Sequence, residues 1–213
     1  MSFSEIAQQF IEGIKATSLL EFLAVFSGIA SVWFSKKENM LVYPVGLINT
    51  IFYVYLSCKG DLWGEATVNL YYTIMSFYGW YQWTKRDQQK ELVLHISKAD
   101  SRQWSQHLFF FVTFYVIIYF ALQGLKKDFA PGAIPWADAL ASASAFTGMW
   151  LMTRKKLESW YWWIITNITS IPLYFVKGYV FTSVYYIVLL VMSLFGLAEW
   201  NKKIKEQQLH GSH

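Results

Sequence analysis

Long apolar stretches follow one another along most of this chain, and they constrain its fold more than any other feature. A membrane-spanning helix needs about 20 mostly apolar residues. Only 15% of the residues are charged, while 55% are hydrophobic, which is unusual for a soluble domain. The pattern predicts an all-α membrane protein with seven transmembrane helices, at residues 18–35, 40–57, 64–83, 104–123, 135–152, 159–176 and 179–199.

The first 17 residues precede these stretches and follow a different pattern. Ile6, Phe10 and Ile14 recur every fourth residue among mostly polar neighbours. This spacing predicts an amphipathic helix that lies on the membrane surface. No basic start followed by a short apolar core and a cleavage site is present, so a signal peptide is not expected.

An internal repeat relates the two ends of the chain. Residues 21–37 match residues 138–154, and each segment has an acid twelve residues before a Trp. After one inserted residue the match continues to Asn49 and Asn167. Two copies of a three-helix unit therefore flank an unpaired fourth helix, which makes the copies parallel in the membrane. Transporters with such repeats bind substrate at the repeat interface near the midplane.

The repeat divides the chain into six predicted regions. The connection between the first repeat and the unpaired helix is hydrophilic, and it is expected to be solvated. The regions are an amphipathic segment at 1–17, repeat 1 at 18–83, a cytoplasmic connection at 84–103, a linker helix at 104–123, repeat 2 at 135–200 and a cytoplasmic tail at 201–213.

The basic residues divide unequally between the two sides of the predicted membrane. Of the 18 Lys and Arg, thirteen fall on one side and five on the other. Cytoplasmic loops carry the excess of Lys and Arg. The asymmetry predicts an N-terminus outside and a C-terminus in the cytoplasm.

Several segments resemble a known transporter family. The 3+1+3 helix plan is similar to the SWEET-type sugar transporters, and the details more closely resemble the PnuC family of bacterial nicotinamide riboside transporters. The resembling segments are VWFSKKEN, NTIFYVYLSCKGDLWGE and YGWYQWTK in the first half, and TGMWLMTRKK and WWIITNITSIPLYFVKG in the second.

The resemblance implies a facilitator of the bacterial inner membrane that takes up nicotinamide riboside by alternating access. It also implies trapping of the substrate through phosphorylation by a cytoplasmic kinase, and assembly as a homotrimer. Relatives with this fold carry thiamine, riboflavin, another nucleoside or a sugar, so the cargo stays open. A non-transporting membrane scaffold is a further alternative.

Polar and aromatic residues within the spans are the candidates for substrate binding. An aromatic cage suits a flat cationic ring, and amides suit a carboxamide and hydroxyls. Asn in hydrocarbon is costly unless it is paired, so it faces the interior or forms an interhelical hydrogen bond. The Trp residues could instead belong to an interfacial belt, which is the expected role of most residues in the run at 160–163. The candidates are Asn49, Asn69, Tyr72, Asn167, Tyr186, Trp33, Trp150, Trp80, Trp83 and Gln82.

Motifs for enzymatic chemistry are absent from the sequence. There is no GxxxxGK[ST] phosphate loop and no Cys/His cluster for zinc, and Cys58 is the single cysteine. The sequence therefore predicts a protein that is not an enzyme and that needs no cofactor or metal. Its expected partners are a small vitamin or nucleoside, membrane lipid and further copies of itself, and nucleic acid is not among them.

Overall fold

The computed structural model describes residues 3–59, 63–125 and 132–210, and every regular element among them is an α-helix. This confirms the all-α class. The helices are α1 (Phe3–Ala16), α2 (Leu19–Lys36), α3 (Val42–Lys59), α4 (Trp63–Thr84), α5 (Ser101–Leu125), α6 (Pro135–Met152), α7 (Ser159–Val176) and α8 (Val180–His210).

Three helices in the described part of the chain are long and apolar enough, by length and composition, to cross a bilayer. They are α2, α5 and α8, the last over Val180–Leu209. The helices α3, α4, α6 and α7 have 18 to 22 residues, but they carry more polar or small side chains. The chain is therefore a multi-pass helical protein whose apolar surface suits a membrane.

The helices pack as two sets of three that close on each other. In one set α3 packs between α2 and α4, and in the other α7 packs between α6 and α8. Contacts of α2 with α8 and of α4 with α6 join the sets. Outside them, α5 rests against α6 and α1 against α8, where Phe10 and Phe181 lie 5.9 Å apart.

The helices α2 and α6 end in the same way. Each terminates in a left-handed residue that is not glycine, Glu38 with φ 60° and Lys155 with φ 50°. The N–H of Glu38 donates to the Ser35 carbonyl (2.9 Å) and that of Lys155 to the Met152 carbonyl (3.1 Å). In both, the next N–H bonds the carbonyl five residues earlier, which completes a Schellman motif. Left-handed backbone is costly for L-residues, so these two positions need a compensating interaction.

Two glycines allow aromatic rings to approach a neighbouring helix closely. A Cβ at Gly79 would overlap the Tyr43 ring, and one at Gly196 would overlap the Trp160 ring. These glycines bring α3 against α4 and α7 against α8, and they bury both rings to 1% exposure.

The connection between α4 and α5 is less solvated than expected. The Ile96 side chain is 3% exposed and joins the main hydrophobic core. Ser97 accepts a hydrogen bond from the Leu157 N–H at 3.0 Å, and the Ala99 N–H donates to the Glu158 carboxylate at 2.9 Å. The expectation of a solvated connection is wrong for this part, because backbone pairing with the α6–α7 turn holds it against the bundle.

We predict that Gly196→Ala destabilises the protein, because the new methyl group overlaps the buried Trp160 ring. Overpacking of this kind costs typically about 1–3 kcal/mol. The melting temperature in detergent, followed by tryptophan fluorescence, should fall. Gly124→Ala is the matched control, since a Cβ there meets nothing within 4 Å and Ala favours the helix. Equal melting of the two variants would contradict the packing account.

Candidate functional site

A cavity lies where the two sets of three helices meet. Its volume is about 120 Å³, and six helices contribute to its wall. The lining mixes aromatic, sulfur-containing and small polar side chains, as is usual for pockets that take small organic ligands. The lining residues are Ser31, Val32, Ser35, Val42, Tyr43, Ser76, Met149, Met152, Trp160, Trp163, Asn167, Leu189 and Ser193.

Much of this lining comes in pairs that lie 117 residues apart. The two members of a pair come from corresponding helices of the two sets, so the cavity is built by both halves of the chain. The pairs are Val32 with Met149, Ser35 with Met152, Tyr43 with Trp160, and Ser76 with Ser193.

Two lining residues hold buried polar atoms that have no hydrogen-bond partner in the described part of the chain. They are the Tyr43 hydroxyl and the Trp160 indole N–H, at corresponding positions in the two halves. A buried polar group without a partner costs about 1–3 kcal/mol. Such groups therefore call for an explanation, and a bound polar ligand is one way to satisfy them.

Asn167 supplies an amide at the cavity wall. It is 2% exposed, and its Nδ2 donates to the Ser193 hydroxyl at 3.1 Å. The ring of Trp163 lines the same wall and packs against Gly148. An amide beside an indole face can hydrogen-bond and stack on one flat polar ligand.

The cavity lining is electrically neutral. None of the described residues that line it is Asp, Glu, Lys, Arg or His. An isolated ionic group is expensive to bury without a counter-charge. The site therefore disfavours an uncompensated charge, and of the two signs only a cation can be offset by aromatic ring faces such as that of Trp163.

Two tryptophans bond the backbone of cavity-lining residues at one end of the bundle. The Trp83 indole donates to the Met152 carbonyl, and the Trp200 indole donates to the Ser35 carbonyl, both at 3.1 Å. Each bond crosses from one set of helices to the other. The two rings lie 6.2 Å apart and are 2% and 0% exposed. We call this end, where α2, α4 and α6 terminate, the basic end.

An ion pair lies beside the tryptophans at the basic end. Lys155 Nζ is 2.8 Å from Glu38 and 4.8 Å from the Trp83 ring centre, and its side chain is 2% exposed. Lys203 adds a second cation 3.2 Å from the same carboxylate. Glu38 and Lys155 are the two left-handed residues that end α2 and α6 and lie 117 residues apart. The ion pair joins the two halves. Its attraction offsets the cost of the left-handed backbone at both residues.

The two asparagines that the repeat was expected to pair, Asn49 and Asn167, lie in different surroundings. Asn167 lines the cavity, whereas Asn49 Nδ2 donates to the Ala24 carbonyl at 2.7 Å within the α2–α3 contact. The corresponding bond in the other half joins Thr166 to the Ala141 carbonyl at 3.4 Å. By these contacts Asn49 corresponds to Thr166 and not to Asn167, because no residue is inserted between the halves here.

Three candidates on α4 and α8, Asn69, Tyr72 and Tyr186, do not line the cavity. Asn69 accepts the Thr73 hydroxyl at its carbonyl (2.9 Å). Tyr72 packs against Trp163, with ring centres 6.3 Å apart. Tyr186 stacks on Tyr174 at 5.2 Å.

Four further candidates lie apart from the cavity lining. Trp33 is 50% exposed, with Lys36 Nζ 4.4 Å above its ring. Trp150 stacks on Phe110 at 4.7 Å in the α5–α6 contact. Trp80 is exposed and Gln82 is half-buried on α4.

Tyr43, Trp160 and Trp163 are cavity residues that the sequence did not single out for binding. The run at 160–163 looked like an interfacial belt, but only Tyr161 in it is substantially exposed. The sequence signal that could have identified Tyr43 and Trp160 was the 117-residue interval between Trp33 and Trp150. Extended without an insertion, it pairs Tyr43 with Trp160.

Comparison with known proteins identifies the family. The family model described as "Nicotinamide mononucleotide transporter" matches residues 18–202, so the chain belongs to that family. The nicotinamide riboside transporter PnuC of Escherichia coli is 25% identical, covering 89% of this chain and 88% of that protein. PnuC of Haemophilus influenzae is 28% identical over 88% and 81% of the two chains.

Two more similarities bear on fold and cargo. The riboflavin/roseoflavin transporter RibM of Streptomyces davaonensis is 22% identical, covering 81% of this chain and 80% of that protein. A crystal structure of the vitamin B3 transporter PnuC shares the fold, with a TM-score of 0.72 and 24% identity over 94% and 88% of the two chains. These homologues are transporters and not enzymes.

We predict that Lys155→Met lowers the melting temperature of the detergent-purified protein. Breaking a buried ion pair costs roughly 3–5 kcal/mol when the remaining charge is orphaned, and Lys203 should keep the loss below that. Glu38→Gln combined with Lys155→Met should recover part of the loss, because no charge then stays buried. Lys202→Met is the matched control, since Lys202 is 72% exposed. A Lys155→Met protein that melts like the wild type would refute the coupling.

Proposed function

We propose that this member of the nicotinamide mononucleotide transporter family takes up nicotinamide riboside through the central cavity. One observation carries the proposal: a neutral cavity between the two halves is lined by Tyr43 and Trp160, each of which has a buried polar atom without a partner in the described part of the chain. The names of the PnuC relatives support the choice of substrate.

The chemistry of the substrate suits the lining. Nicotinamide riboside has a flat cationic ring, a carboxamide and a ribose. Stacking on Trp163 would contribute about 0.5–2 kcal/mol through cation–π attraction. The Asn167 amide can pair with the carboxamide, and the Tyr43 hydroxyl and Trp160 N–H can donate to ribose oxygens. We propose Tyr72 as support for the Trp163 ring.

The neutral lining favours the riboside over the mononucleotide. The family description names the nucleotide, whereas the PnuC relatives are named for the riboside. The nucleotide adds a phosphate with a charge of about −1.5 to −2. No Lys or Arg is among the described lining residues, so that charge would be buried without a partner.

The size of the cavity supports a mechanism of alternating access. Its 120 Å³ is below the roughly 300–1,000 Å³ of typical ligand pockets, so the two sets of helices must separate to admit a nucleoside. We propose that the gate at the basic end consists of Trp83, Trp200 and the Glu38–Lys155 pair. These four side chains hold the two halves together, and their contacts across the halves would break when the gate opens.

We propose a membrane arrangement of seven spans in a 3+1+3 plan. The spans would be α2 to α8, with α5 as linker between the repeats at 18–83 and 135–200. The amphipathic α1 would lie on the surface. The N-terminus would be outside and the basic end cytoplasmic, in the bacterial inner membrane. The unequal division of Lys and Arg and the contacts repeated at 117 residues support this arrangement.

We propose that transport is facilitated diffusion by a homotrimer, with trapping through a cytoplasmic kinase. Asp138, the acid that precedes Trp150 by twelve residues in the second repeat, is engaged at 2.7 Å by Lys177, away from the cavity lining. It is therefore not placed to couple protons to a substrate in the cavity. A facilitator accumulates substrate only if a later reaction removes it, which is the role assigned to the kinase.

The similarity to RibM supports riboflavin as a second candidate cargo. Riboflavin also has a flat aromatic ring and a polyol, so the same stacking and donor groups would serve it. Thiamine, another nucleoside and a sugar stay as further alternatives, together with the non-transporting scaffold.

We predict that isothermal titration gives saturable binding of nicotinamide riboside. The mononucleotide should bind about 100-fold more weakly or not at all, because burying its phosphate costs several kcal/mol. Riboflavin, thiamine and a hexose complete the panel. Mononucleotide affinity equal to that of the riboside would overturn the neutral-site argument. Heat with riboflavin alone would move the assignment to that cargo, and silence with all five from folded protein would favour the scaffold.

We predict that Tyr43→Phe separates binding from stability. The substitution removes a hydroxyl without a described partner, so the melting temperature should hold or rise. Substrate affinity should fall about 3- to 10-fold through one lost hydrogen bond. Tyr71→Phe is the matched control, because its hydroxyl donates to the Phe146 carbonyl (3.0 Å) outside the lining. That control should lose stability and keep affinity, and the reverse pattern would contradict the assigned role of Tyr43.

A further inference from the structure

A groove with a different character lies on the surface where α5 begins and α6 ends. Its volume is about 580 Å³, well above that of the central cavity. We call it the α5–α6 groove, and the residues of its wall used below are Arg102, Phe109, Phe110, Trp150 and Arg154.

Two guanidinium groups flank an aromatic platform in this groove. The Arg154 guanidinium lies 4.4 Å from the Trp150 ring centre, and Trp150 in turn stacks on Phe110. Arg102, which lies on α5, lines the same groove. Neither arginine is in an ion pair within the described part of the chain. A guanidinium group without a carboxylate partner is well suited to bind phosphate, because it can donate two parallel hydrogen bonds to the phosphate oxygens.

An exposed apolar stripe continues from the groove along α5. Phe109, Val112, Val116 and Phe120 recur at helical spacing and are 76%, 53%, 44% and 66% exposed. At 1.5 Å per residue the stripe is about 16 Å long, close to half of the roughly 30 Å hydrocarbon core. Its length is that of one leaflet, measured from the basic end.

We propose that the α5–α6 groove is a binding site for an anionic phospholipid. The phosphodiester lies between Arg102 and Arg154, and an acyl chain follows the α5 stripe. The stripe distinguishes a lipid from free phosphate, because a free ion makes no use of it. Basic pockets between membrane helices on the cytoplasmic side are known to hold acidic headgroups. The site is separate from the central cavity and does not depend on the transported substrate.

Native mass spectrometry of the full chain in a neutral detergent tests the proposal. Titration with dioleoyl phosphatidylglycerol should give one saturable adduct per chain, at least tenfold tighter than dioleoyl phosphatidylcholine. Arg102→Gln with Arg154→Gln should weaken the phosphatidylglycerol adduct tenfold or more. Arg102→Gln alone, which leaves the Arg154–Trp150 contact in place, should give a smaller loss. Lys202→Gln with Lys205→Gln, on the exposed end of α8, should leave the adduct unchanged.

Competition separates the possible sources of the anion. Inorganic phosphate and glycerophosphoglycerol, which lacks acyl chains, should not displace the lipid at equal concentration. Displacement by either would overturn the lipid assignment in favour of a simple anion site. Unchanged phosphatidylglycerol binding in the double arginine variant, or equal binding of the two lipids, would overturn the site itself.

Discussion

Two carbonyl groups at helix ends govern how the halves of this protein meet. The last carbonyls of a helix have no partner within it, and a membrane offers no water to replace one. At the basic end the carbonyls of Ser35 and Met152 accept both a local N–H and an indole N–H from the opposite half. The buried indole N–H groups of Trp83 and Trp200 reach these acceptors only when the halves associate, with the two rings against each other.

The other features of the site follow from that association. The helix ends place Glu38 and Lys155 face to face in left-handed conformations, and their ion pair stabilises a backbone that would otherwise be strained. The carbonyl-bearing residues Ser35 and Met152 also line the central cavity, so the groups that join the halves lie next to it. A structure that opens at this end must break both indole bonds and the ion pair together, which favours two discrete states.

Sequence patterns predicted the helices more accurately than the residues that line the cavity. Apolar length located the helices well, because hydrophobic periodicity and length are local properties. The candidates Trp83 and Asn167 lie beside the cavity and in its lining, respectively, but an assumed insertion in the repeat paired Asn49 with the wrong residue. Trp33 and Trp150 share the repeat interval and lie outside the cavity, since the interval fixes correspondence and not the direction in which a side chain faces.

Sequence patterns alone indicate an all-helical chain, the positions of its helices, the asymmetry of its charge and the family to which it belongs. Only the three-dimensional structure shows which aromatic residues are buried, that Tyr43 and Trp160 line one cavity, and that the connection at 96–99 packs on the α6–α7 turn. The physical reason is that helix formation depends on neighbours within a few residues. Burial, by contrast, depends on contacts between residues far apart in the chain, such as Trp83 with Met152 and Trp200 with Ser35.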